Sequence, residues 1–135
     1  MENTDILELN TYSINNIEYC TLPDVDKDVE LFVEDKIIDK KIMSNKVDVL
    51  IRRQVAFEPK HMFSMSVETF ISFDREKMEK RNLQKIKEQE IDEEIKENSN
   101  PVFNRISLII SVVTSQALGL PLITPPSFID KKMLI

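Results

Sequence analysis

One glycine, one cysteine, one histidine and no tryptophan occur in the 135 residues. Each scarcity closes off a class of function. A lone glycine, Gly119, cannot build a phosphate-cradling loop or a dinucleotide-binding turn, which need several glycines where backbone meets phosphate. A lone cysteine, Cys20, allows no disulfide within the chain and fits a reducing compartment. Cys20 and His61 together fall short of the four ligands of a closed zinc site. His61 sits in a turn and reads as a surface residue, and Cys20 reads as a buried or edge thiol. Asp24, Asp26 and Asp28 alternate as in a calcium loop, but the glycine and distal glutamate of such a loop are missing. No catalytic set and no cofactor site emerge, so a non-enzyme is expected.

Basic residues are also outnumbered, 18 Lys and Arg against 24 Asp and Glu, for a net charge of -6. General nucleic-acid binding, which needs a basic face to neutralise phosphates, is excluded on this ground. An acidic surface suits a basic protein partner. The first ten residues lack the cationic and apolar regions of a signal peptide. The most apolar run, Ile106 to Val113, is shorter than the roughly 20 residues that cross a bilayer. The expectation is a cytoplasmic protein with no membrane insertion. Hydrophobic residues at 41% and charged residues at 31% describe a globular chain, read as one domain over 1–135.

What is present falls into five parts. Residues 1–11 read as an N-terminal arm and 12–73 as a four-stranded antiparallel sheet. In the first strand Ile17, Tyr19 and Thr21 share a face; in the second, Val29, Leu31 and Val33 point inward, with Phe32 an exposed aromatic on the other side. Val47, Val49, Ile51, Val55 and Phe57 form the clearest alternation, interrupted by Arg53, which reads as an edge or interface arginine reaching to solvent. After the short link at Pro59, the residues Phe63, Met65, Val67, Ile71 and Phe73 share a face with Thr69. Residues 74–98 form a charged connection, read as a solvated helix.

Residues 99–119 make the main helix. Pro101 stands near its first turn and Gly119 just past its end. Apolar residues at 102, 106, 109, 110, 113 and 117 mark one face, and Leu108 and Val112 widen it. Such a helix is expected to pack on a sheet with one side and on another subunit with the other. Residues 120–135 form a proline-rich segment, stiffened by Pro121, Pro125 and Pro126, and a short C-terminal helix. The fold class is therefore α+β, a helix over one face of the sheet.

The order Ser111, Thr114, Ser115, Gln116, Gly119, Leu120-Pro121-Leu122-Ile123, Pro125-Pro126 and Phe128 resembles the C-terminal part of SecB-like protein-export chaperones. The resemblance implies a cytosolic homo-oligomer, a tetramer or dimer, that uses no nucleotide and holds unfolded or nascent polypeptide in apolar grooves. Carried over by position, Ile17, Tyr19, Phe103, Leu120, Leu122, Pro125, Pro126 and Phe128 would line the client groove. The acidic Glu30, Glu34 and Glu68 would form a partner-binding sheet face of the kind that docks the SecA motor. The family usually continues into a second full helix and a polar tail, while this chain stops soon after Phe128. It also has Asn104 and Arg105 where the family often has a proline–aromatic pair. The expected partner is then SecA or an antitoxin, since other SecB-like proteins serve toxin–antitoxin systems.

The residues themselves allow the same reading. Tyr12, Tyr19, Phe32, Phe103, Leu120, Leu122, Ile123 and Phe128 exceed what one sheet and one helix are expected to hide. Each either completes the core or a subunit interface, or lines a groove that accepts extended apolar chains. Two functions are open at this stage. One is an ATP-independent holdase, in protein export or antitoxin protection. The other is a non-chaperone assembly subunit that binds one dedicated folded protein.

Overall fold

A computed structural model describes residues 7–75 and 88–134. Four long strands follow one another, β1 (Leu7–Thr21), β2 (Glu30–Ile42), β3 (Lys46–Glu58) and β4 (Phe63–Arg75). Two helices come next, α1 (Glu88–Asn98) and α2 (Asn100–Leu118), then a short strand β5 (Lys131–Met133). Among the described residues the sheet has five strands, not four, in the order β1-β4-β3-β2-β5, with every neighbouring pair antiparallel. The expected C-terminal helix is replaced by β5, which pairs with Phe32, Val33 and Glu34 of β2. Three residues, Lys-Lys-Met, carry no alternation that could announce a strand; tertiary pairing decides their conformation.

Alternation explains β3 and β4. Val47, Val49, Ile51, Val55 and Phe57 face Phe63, Met65, Val67, Ile71 and Phe73 on one buried side. Their opposite faces carry Asp48, Arg52, Gln54, Ser64, Ser66 and Glu68, as period-two patterning requires. β1 is subtler. Its apolar residues stand at 7, 9, 12, 14, 17 and 19, a spacing that slips out of period two twice. The register shifts at those two places, between Leu9 and Thr11 and between Ile14 and Asn16. Each shift is a bulge that absorbs one extra residue, so Leu9, Tyr12, Ile14, Ile17 and Tyr19 all lie opposite inward residues of β4. Leu7 is itself buried, so residues 7–11 belong to the sheet and not to a loose arm; residues 1–6 lie outside the described residues.

The helices cover the apolar face of the sheet. On α1, Ile91 and Ile95, four apart, are fully buried, and Asp92 pairs with Lys40 of β2 at 2.5 Å. The helix is thus docked and not solvated; the rest of the charged connection, 76–87, lies outside the described residues. On α2, Val102, Phe103, Ile106, Ile110 and Thr114 are buried, while Leu108 and Val112 face outward. By length and composition alone this 19-residue helix could cross a membrane. Its inward stripe instead joins the same core as β3 and β4.

Gly119 ends α2 at φ 84°, with its N–H donating to the Ser115 carbonyl at 2.9 Å. That left-handed conformation is where a side chain meets its own carbonyl. A methyl group there would touch nothing within 4 Å, so only the backbone term counts. Gly119→Ala is expected to cost about 1 kcal/mol of unfolding free energy, read by urea denaturation, with the fold unchanged.

Candidate functional site

Beyond Gly119 the chain runs as a ribbon, residues 120–130, with no helix or strand of its own. Three prolines deprive it of backbone donors, so it cannot join the sheet by an ordinary ladder. It is held by side chains instead. Thr114 of α2, buried, accepts from the Leu122 N–H at 2.8 Å and donates to the Ile110 carbonyl at 2.7 Å. About two turns earlier, Ser107 donates to the Thr124 carbonyl at 2.5 Å. The remaining anchors come from the sheet.

Arg53 of β3 and Asp35 of β2 are direct cross-strand partners on the covered face, and both side chains are fully buried. Their fork is bidentate: Nε donates to Oδ1 and Nη2 to Oδ2, each at 2.7 Å. Nη1 donates to Thr124 Oγ1 at 3.1 Å and to the Pro125 carbonyl at 2.5 Å. Nη2 also donates to the Ser127 carbonyl at 2.9 Å. All five donors of the guanidinium are therefore used. Asp35 in turn accepts from the Ile129 N–H at 2.9 Å, while its own N–H donates to the Ile129 carbonyl at 3.0 Å. The Phe103 ring lies 4.8 Å from the guanidinium carbon and completes the enclosure. The sequence reading of Arg53 as an arginine reaching to solvent is thus corrected. A buried cation needs a partner, and Asp35 and the ribbon carbonyls provide one.

Burial pushes the Asp35 carboxyl above its ordinary range, opposed by the hydrogen bonds and charge of Arg53 and by the Ile129 N–H. A carboxyl raised in the folded state contributes stability that is complete below its unfolded value, 3.8, and lost as pH rises through the folded value. Replacing the pair by apolar residues of similar volume, Asp35→Leu with Arg53→Met, removes that loss. The double variant is expected to be at least as stable as the parent at neutral pH. Its advantage should shrink as pH falls toward 4, read from denaturation midpoints across pH.

The clamp determines which ribbon side chains turn outward. Leu122, Phe128 and Ile129 pack against the core. Leu120 and Ile123 project at 73% and 72% exposure. On the same side of the sheet Ile17 of β1 is 45% exposed and Tyr12 36%, on a strand with no sheet partner along its other edge among the described residues.

The eight residues expected to line a client groove thus divide. Ile17, Leu120 and Pro126 are exposed; Tyr19, Leu122, Pro125 and Phe128 are half-buried. Tyr19 stacks on Phe63 with ring centroids 5.5 Å apart. Phe103 is fully buried and meets Phe128 edge-on at 5.8 Å, so it reaches no surface in this fold and props the ribbon from below. Ile123 belongs with the exposed set, and neighbouring Leu122 takes the inward place.

On the other face of the sheet lie Glu30, Glu34 and Glu68. They do not form an unbroken acidic patch. Glu68 pairs with Arg52 at 3.0 Å, and Glu34 lines a groove with Phe32, Ala56 and Lys131. Phe32 is buried there and not exposed as expected, because β5 runs beside it and the Lys131 ammonium sits 4.5 Å from its ring. His61 has a structural part that its turn position did not announce. Its Nδ1 accepts from the Val25 N–H at 2.9 Å, and its ring meets Phe57 edge-on at 5.0 Å. Cys20 is exposed. Among the described residues no group of three or more His, Cys, Asp and Glu could hold a metal ion.

Comparison with solved structures then places the architecture. The Mycobacterium tuberculosis Rv1957 SecB-like chaperone, in complex with a ChAD peptide from the Rv1956 HigA1 antitoxin, aligns at TM-score 0.62. The match covers 88% of this chain and 88% of that one at 12% identity. The fold is SecB-like. A Streptococcus agalactiae protein of unknown function aligns over 88% of this chain and 97% of its own, at 13% identity and TM-score 0.45. No family model and no curated protein matches the sequence. Within the SecB-like architecture the ribbon follows the main helix and crosses to the β2 side of the sheet, where Ile129 meets Asp35 and β5 begins.

Proposed function

We propose that this protein is a non-enzymatic chaperone that binds extended, unfolded polypeptide without nucleotide. The observation that carries this reading is the ribbon. Leu120 and Ile123 stand in solvent although the backbone that bears them is tied by polar contacts to the sheet and α2. Apolar side chains held out by a rigid support suit the capture of other apolar chains, since the ordering cost has been met in folding. Binding would draw on apolar burial with little sequence preference. The SecB-like fold supports the reading, and the antitoxin peptide bound by the mycobacterial chaperone makes an antitoxin segment a natural first client.

In this reading the protein works in the cytoplasm as a homo-oligomer, with Leu108 and Val112 of α2 available for contact between copies. Its service is antitoxin protection or export. Suppression of light scattering by several unrelated unfolded proteins is the direct test. The expected result is suppression at near-stoichiometric ratios for most of them, with no added ATP. Suppression for none, together with tight binding to a single folded protein, would favour a dedicated assembly subunit instead.

A further inference from the structure

The buried ion pair poses a separate question, because nothing in the core requires it. Isosteric apolar residues would fill the same place, and buried pairs seldom add net stability over such a replacement. What the pair does provide is a set of donors at the height of the ribbon. Pro125 and Pro126 have no N–H, so residues 122–128 cannot register themselves by strand pairing, which begins only where the Asp35 N–H meets the Ile129 carbonyl and β5 joins β2. Arg53 reads out Thr124, Pro125 and Ser127 in succession, and Asp35 receives Ile129 from the other side. The two side chains hold each other's geometry through the fork.

We propose that the Arg53–Asp35 pair is a positioning device. It fixes the path of residues 122–134, and so sets the affinity of the ribbon for extended polypeptide. The second half of this statement rests on the chaperone reading; the first does not.

Charge alone cannot perform this task. A lysine at position 53 keeps the positive charge but offers a point donor with three hydrogens in place of a planar fork with five. Arg53→Lys therefore separates positioning from neutralisation. The double replacement Asp35→Leu with Arg53→Met separates it from folding, since no unpaired charge is left in the core.

Amide hydrogen exchange on the full chain reads the outcome at two bonds that neither residue makes. These are the Leu122 N–H to Thr114 Oγ1, at 2.8 Å, and the Leu134 N–H to the Leu31 carbonyl, at 2.6 Å. In both variants these two amides are expected to exchange at least tenfold faster. Amides of the central strands, such as Val55 and Met65, should keep their rates. Equilibrium binding of a permanently unfolded, cysteine-blocked polypeptide should weaken at least tenfold in the same variants. Unchanged exchange at Leu122 and Leu134 in a double variant whose central strands stay protected would overturn the positioning role. Loosened amides with undiminished binding would overturn the link to affinity. Failure of the parent protein to bind would be charged to the chaperone reading, and exchange alone would still decide the positioning role.

Discussion

Asp35→Ala is expected to be the most damaging single substitution outside the apolar core, lowering unfolding free energy by about 3–5 kcal/mol. The reason is what it leaves behind. Arg53 would remain fully buried with two of its donors facing a void, and an uncompensated cation in a low-dielectric interior is costly. Ile129 would lose its acceptor as well. Against a typical total stability of about 5–15 kcal/mol, that is a large fraction. The companion Arg53→Ala should be similarly harmful, because it strands the carboxylate and three ribbon acceptors. The apolar double replacement should nonetheless be tolerated. A double-mutant cycle read by chemical denaturation would therefore show strong coupling between the two sites. Single variants that cost less than about 1 kcal/mol would mean that water enters the site and relieves the charge.

The second large effect concerns binding and leaves the fold alone. Leu120 and Ile123 are exposed, so replacing both by aspartate removes no core contact. Surface changes of this kind usually move stability by less than about 0.5 kcal/mol. Full burial of each side chain against a client would contribute roughly 1.5–3 kcal/mol, less what ordering the client costs. Losing both should weaken client binding on the order of a hundredfold, since about 1.4 kcal/mol is a factor of ten. The check is an aggregation-suppression titration beside a thermal melt. Replacing Leu122 or Phe128 instead would confuse the two readouts, because both side chains pack against the core.

How far the fold could be read from the residues alone follows from what was local. β3 and β4 alternate for a dozen residues, and the apolar members of their inward sets are legible in that pattern; Arg53, inward and buried, is not. The ends of α2 were visible in Pro101 and Gly119, because each does one thing that other residues do poorly. For β1 the pattern predicts a strand from Tyr12, five residues short of its N-terminal end at Leu7. A period-two template fails where two bulges intervene, although the spacing 7, 9, 12, 14, 17, 19 contains both of them.

The polar clamp is not legible in either strand alone, for a different reason. Asp35 continues the inward series Leu31, Val33, and Arg53 continues Val47, Val49, Ile51. Each alone resembles an interruption of a pattern. Only the register of β2 on β3, shifted by one residue at the bulge between Ile37 and Asp39, shows that two interruptions of opposite sign lie side by side. Opposite charges at inward positions of consecutive strands were the available clue. The exposed pair on the ribbon was likewise half legible. Leu120 to Ile123 was plainly apolar, but which residues turn outward depends on where Thr114 and Arg53 grip the backbone.

Site-specific photo-cross-linking to an unfolded polypeptide tests the central claim most directly. A photoreactive phenylalanine analogue would be placed in turn at position 123 on the ribbon and at position 30 on the opposite sheet face. A captured client from position 123, with little from position 30, is the predicted result. Cross-links from position 30 alone, or from neither while the client still binds, would show that extended chains are held elsewhere than on the ribbon.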